Sequence, residues 1–184
     1  MRKVIAFAVL LLLLSACARS TGKGPAAPTA STDAGGEEAA VNGVLAGLDG
    51  VIGDVQRILV RERRITTDVT DRLKAIYTGP ELLNQIDAFR ADVANGLAGY
   101  KTPPGNRVTT VSRLITASPV CIFAQVHRDY SPITEGQAPK LDTLYVVLVT
   151  KNEADDPRHL NPTPWALLYD GIQQDGSQPD DVCR

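Results

Sequence analysis

The chain predicts an α+β fold, with N-terminal helices packed on a curled antiparallel four-stranded sheet. Apolar residues recur at spacings of three and four through residues 37–96, the period of helices buried on one side. From residue 107 the period shortens to two, the alternation of strands. Runs rich in Gly, Pro and polar residues separate the segments. Helices that precede the strands, rather than alternate with them, give the α+β order.

The first helix covers residues 37–64. Val41, Val44, Leu48, Val51, Val55 and Ile58 alternate the two spacings, and Leu45, Ile52 and Leu59 widen the stripe. Glu37 and Glu38 at its start and Arg61, Arg63 and Arg64 at its end complement the helix dipole. Gly43, Gly47, Gly50 and Gly53 fit less well, at about 1 kcal/mol each against Ala. They predict either close approach of another backbone or a kink near Gly50. The second helix, 67–77, carries Val69, Leu73 and Ile76 on one face. Gly79-Pro80 ends it and opens the third, since Pro suits a first helical turn. Leu82, Leu83, Ile86, Phe89 and Val93 follow, and the helix ends near Gly96. Residues 99–105 form a loop.

Four strands follow at about 107–116, 119–129, 141–151 and 164–172. In the second, Val120, Ile122, Ala124 and Val126 form the core face. Cys121, Phe123, Gln125, His127 and Asp129 form the other, which is predicted to look at solvent. The third strand is apolar on both faces, as a central strand is. Residues 130–140 and 152–163 are polar, proline-containing loops.

Three helices, a four-stranded meander and Trp165 at the start of the last strand make an order that resembles the cystatin-like or SnoaL-like cone. The resemblance spans most of residues 37–184 and rests on element order. It implies a sheet curled over helices. The group includes isomerases, dehydratases, ligand-binding modules and exported domains, so the resemblance assigns no single function.

The N-terminus carries an export signal. Arg2 and Lys3 precede an unbroken apolar run from Val4 to Leu14, too short to span a bilayer. The following Leu14-Ser15-Ala16-Cys17 resembles the lipobox of bacterial lipoproteins. That resemblance implies a diacylglyceryl thioether and further acylation at Cys17, with residues 1–16 removed as signal peptide. Two or more acyl chains anchor stably where one does not. Residues 17–36 then read as a lipidated flexible tether of small and polar residues with two prolines, too poor in apolar side chains to fold. As a random coil the tether spans roughly 25 Å. Residues 37–184 form a single domain. The implied location is the outer face of the cytoplasmic membrane or elsewhere in the cell envelope.

Charge and cysteine content agree with that setting. Losing Arg2 and Lys3 leaves 17 basic side chains of 19 against 21 acidic ones, a balance of −4. A mildly acidic surface argues against nucleic acid as a partner. With Cys17 acylated, Cys121 and Cys183 are the pair left to form a disulfide in an oxidising compartment.

Signals for chemistry are sparse. His127 and Asp129 share a strand face and are the weak candidates for an acid–base pair, as in isomerases or dehydratases of the cone group. Trp165, Tyr169 and Tyr145 are candidates to line an apolar pocket, with Trp165 and Tyr169 on one strand face. Arg57, Arg61 and Arg64 share a helix face, a solvated helix end with the alternative of anionic headgroup contact. Two histidines without ligand spacing predict no metal site, and the chain carries neither a glycine-rich phosphate loop that would imply a nucleotide cofactor nor a G-x-S-x-G nucleophile elbow. The expected function is non-enzymatic binding of an apolar small molecule or an envelope partner protein. The alternatives are assembly through the long helix and the sheet, and catalysis by Asp129 and His127.

Overall fold

The computed structural model describes residues 34–136, 140–172 and 183. The signal, Cys17 and most of the tether lie outside the described residues. The elements run α1 (Ala34–Glu62), α2 (Thr67–Ile76), α3 (Gly79–Ala94), β1 (Val108–Ala117), β2 (Cys121–Asp129), β3 (Lys140–Thr150), a 3-10 turn (Glu153–Asp155) and β4 (Trp165–Gly171). The α+β class and the order of elements match the sequence prediction, and the boundaries differ by a few residues.

Helix α1 is continuous from Ala34 through Gly50 to Glu62, so it does not break at Gly50. Its 29 residues span about 43 Å. Its apolar stripe is buried from Val41 to Leu59, except Val44, which is half-buried against the core. At Gly47 a side chain, not a backbone, comes close: a Cβ there would lie 2.7 Å from the Thr163 methyl. Gly50 faces open space. Arg63 adopts a left-handed φ of 52°, and its N–H bonds to the Leu59 carbonyl, which stops the helix before Arg64. Thr66 caps α2 by accepting from the Val69 N–H at 3.3 Å.

The sheet is an antiparallel meander in the order β1-β2-β3-β4. Two register shifts against β2, between Val111 and Arg113 and between Leu114 and Thr116, each insert an extra residue in β1. Such bulges bend a strand and raise its twist, which curls the sheet over the helices. The inner face carries Ile122, Ala124, Val126, Leu144, Val146, Leu148 and Leu167, packed on α1, α2 and α3.

Side chains and backbone from the helices close both edges of the sheet. Along β1, Asp49 accepts from the Thr109 N–H and Asn42 from the Val111 N–H, each at 2.7 Å. Asn42 and Asp49 lie two turns apart on α1, so one helix face serves alternate amides of one strand. Along β4, Tyr77 forms a parallel bridge with Leu167, and the Thr78 N–H donates to the Leu167 carbonyl at 3.0 Å. Edge amides left open are templates for aggregation.

The outer face departs from its predicted exposure. Cys121, Phe123, Tyr145 and Val147 form a second buried cluster, with Cys183 packed against it. Val120, predicted in the core, sits in the β1–β2 turn and is 62% exposed.

Candidate functional site

The predicted disulfide forms. Cys121 and Cys183 are bonded, with their Cα atoms 5.5 Å apart. Cys121 opens β2 on the outer face, so the bond fixes Cys183 over Phe123 and Tyr145.

The predicted aromatic pocket does not assemble. Trp165 and Leu167 face the helices, but a register shift between Val147 and Leu148 puts an extra residue, Leu168, into β4. The bulge turns Leu168 and Tyr169 to the outer face and Asp170 to the inner one. Tyr145 and Tyr169 therefore share the outer face while Trp165 packs on the opposite side. The aromatic partner of Tyr145 is Phe123, with ring centroids 6.0 Å apart.

His127 and Asp129 also sit on the outer face, because Val126 and Arg128 between and beside them point inward. The Asp129 carboxylate accepts from the N–H and hydroxyl of Ser131 at 2.8 and 2.9 Å, a local turn. The pair therefore does not face the space between helices and sheet. His159 lies in an exposed loop at a left-handed φ of 51°. Arg57 is engaged with Asp54 and Asn106, and Arg61 with Glu62.

The bulge in β4 builds what the sequence pattern hid, a buried charge network at the centre of the domain. Asp170 accepts from Arg128 at 2.7 Å, from Tyr77 at 3.2 Å and from Arg107 at 3.3 Å. Arg107 also donates to Asp49 at 2.7 Å. Arg128 donates to the Thr109 hydroxyl at 2.9 Å, and that hydroxyl donates to Asp49 at 3.1 Å. Asp49, Arg107, Arg128 and Asp170 are all under 8% exposed at the side chain, and their formal charges balance.

Electrostatics follow the geometry. Burial works to raise the Asp170 pKa, but Arg128, Arg107 and the hydrogen bonds from Arg128 and Tyr77 outweigh it and hold it below the usual range. Burial pushes the Tyr77 phenol far above its ordinary value. Burial also raises Glu81, which stands close enough to feel both Asp170 and Arg128. A carboxylate held ionised, with its lone pairs occupied by three donors, is a poor proton acceptor. The network is built to hold elements together: it ties α1, the α2–α3 junction, β1, β2 and β4.

A second buried hub locks the loop before β4. Asp156 accepts from Lys151 at 2.9 Å and from the amides of Leu160 and Asn161 at 2.7 and 3.1 Å. The Asn161 amide nitrogen donates to the carbonyls of Ala75 and Trp165, and its oxygen accepts from Thr163 twice. This loop forms one wall of an open cleft of about 430 Å³, whose other wall is Asp71, Lys74, Thr78 and Leu82. A smaller cleft of about 390 Å³ lies where the ends of α3 and β2 meet the middle of α1, lined by Gln56, Asp92, Tyr100, Tyr130 and Glu135.

Two sequence signals foreshadowed the network: Asp49 interrupts the apolar stripe of α1, and Arg128 has the inward parity of Val126. Nothing in the period of β4 announced Asp170. None of the protein families, curated proteins or solved structures compared with this chain matches it.

Proposed function

We propose that this is a lipid-anchored cell-envelope protein of non-enzymatic type that works by binding a partner protein through its outer surface. The lipobox-like Leu14-Ser15-Ala16-Cys17 and the following tether support the anchorage. A disulfide between Cys121 and Cys183 is consistent with an oxidising compartment.

One observation carries the choice of a protein partner over an apolar small molecule. The space between helices and sheet, where a cone-like domain holds a ligand, is occupied. Leu48, Ile52, Val55, Leu73, Ile76 and Leu148 fill it at 0–1% exposure, beside the charge network. The tyrosines and tryptophan proposed to line a pocket lie on opposite faces of the sheet. Self-assembly through the α1 stripe or β3 is disfavoured, because both are already buried in their own domain. Catalysis by Asp129 and His127 is disfavoured by their place on the face turned away from the helices.

Two measurements test this reading. Palmitate labelling of the intact protein is expected, with loss of label in Cys17→Ala; label that persists in that variant overturns the anchorage. Native mass spectrometry of full-length protein extracted from its own membranes is expected to show a second polypeptide at fixed stoichiometry. A bound apolar small molecule with no polypeptide overturns the partner assignment.

A further inference from the structure

Two Asn-Gly pairs occur in this chain, Asn42-Gly43 and Asn95-Gly96, and the fold treats them differently. Asn-Gly is a dipeptide prone to cyclise, because glycine has no side chain to hinder attack by its own amide nitrogen. Asn42 lies inside α1, and its Oδ1 accepts from the Val111 N–H at 2.7 Å. Side chain and backbone are both held there, and freeing them means opening the interior of α1.

Asn95 is exposed at the C-terminal end of α3, and its side-chain amide makes no hydrogen bond among the described residues. Its backbone caps the helix with φ −82° and ψ 10°. Gly96 follows at a left-handed φ of 71°, a conformation glycine takes at no steric cost. Two bonds close the turn. The Gly96 N–H donates to the Val93 carbonyl at 3.0 Å, and the Leu97 N–H to the Asp92 carbonyl at 2.8 Å. This is the Schellman closure of a helix, and it seats Leu97 in the core at 8% exposure. A terminal turn frays far more often than a helix interior, and each fraying frees the Gly96 nitrogen to approach the Asn95 side chain.

We propose that Asn95-Gly96 is a self-modifying site whose conversion to isoaspartate unlatches the end of α3. The Gly96 nitrogen loses its proton to solvent base and attacks Cγ of Asn95. The bond from Cγ to Nδ2 breaks, and Nδ2 leaves as ammonia with a proton from water. The product is a cyclic succinimide. Water then opens the ring. Attack at Cγ leaves aspartate, and attack at the backbone carbonyl carbon leaves isoaspartate, with the chain now running through Cγ. The net change is one water in and one ammonia out, with nothing oxidised or reduced. Either product puts a carboxylate at the negative end of the helix dipole, three residues from Asp92. Isoaspartate also lengthens the backbone by one atom inside the turn, so Gly96 and Leu97 lose their carbonyl partners. The site rests on residues 92–97 and is independent of the anchorage and partner reading above.

The test ages the full-length protein in detergent micelles, in mildly alkaline buffer made with heavy-oxygen water. Peptides are then mapped by mass spectrometry after digestion in acid. The expected result is loss of ammonia and uptake of label at Asn95, with isoaspartate the larger product. Conversion at Asn42 is expected to be slower by about tenfold or more. In urea-unfolded protein the two sites are expected to convert at similar rates, which assigns the difference to the fold. Hydrogen exchange at the Leu97 amide is expected to rise by about tenfold or more in the aged protein. It is expected to stay constant in aged Asn95→Gln, whose longer side chain cyclises far more slowly, and the amide spectrum of that variant reports directly whether it folds. No conversion at Asn95 in the folded protein, equal rates at Asn42 and Asn95 there, or a difference that persists in urea overturns the site. Conversion without a change at Leu97 overturns the unlatching.

Discussion

Replacing Asp170 by Asn is the sharpest perturbation of this domain. The two side chains have nearly the same shape, so the change isolates the charge. In the native protein Asp170 is 1% exposed at the side chain and accepts from Arg128, Tyr77 and Arg107. With Asn there, two buried guanidinium groups face a single buried carboxylate, Asp49. The Asn amide nitrogen is also a donor, set among groups that are all donors. Breaking a buried ion pair from one side costs about 3–5 kcal/mol, because the remaining charge stays buried. That is a large part of the roughly 5–15 kcal/mol that holds a domain together. It corresponds to a fall in melting temperature of roughly 10–15 °C for a domain of this size. Urea unfolding followed by circular dichroism measures it. The double variant Asp170→Leu, Arg128→Met removes one charge of each sign and leaves the Arg107–Asp49 pair intact. It is expected to lose less than the sum of its single variants. An Asp170→Asn loss below about 1 kcal/mol, or strict additivity in the double variant, refutes the network as the tie between helices and sheet.

The same site sets an acid limit. The folded pKa of Asp170 lies below its unfolded value of about 3.9. Between the two values the unfolded chain binds more protons, so stability rises with pH there. The contribution is complete above about pH 4 and is lost as pH falls through the folded pKa. Asp170→Asn is therefore expected to show a shallower loss of stability in acid than the parent protein.

Other consequences are independent of that network. Gly50→Ala is expected to stabilise by about 0.5–1 kcal/mol, since the helix is unbroken and open space meets the added methyl. Gly47→Ala is expected to destabilise, because Thr163 is held in place by two hydrogen bonds to Asn161 and cannot easily yield; thermal melts of the pair decide the signs. Cys121→Ser with Cys183→Ser opens a loop of 62 residues and is expected to cost about 4 kcal/mol in denaturant titrations. Asn161→Ala strips donors from the Ala75 and Trp165 carbonyls and is expected to cost about 2–3 kcal/mol by the same titration, with the loss traced by hydrogen exchange to the 152–165 loop.

Periodicity alone determined the three helices, the four-stranded meander, the buried stripe of α1 and the inward parity of β2, because burial of one face imposes a period that survives in one dimension. The cysteine count, read with the export signal, gave the disulfide for the same kind of reason: few partners were available. What only the tertiary structure decided hangs on single-residue insertions and on long-range pairing. The extra residue at Leu168 in β4 moved Tyr169 outward and Asp170 inward, dissolving the expected aromatic pocket and creating the charge network. A bulge adds one residue without altering composition, so the alternation beyond it is read with the wrong sign. The charge network and the sealing of β1 by Asn42 and Asp49 join residues distant in the chain. No local pattern encodes such meetings, because they depend on where the packed core brings the segments together.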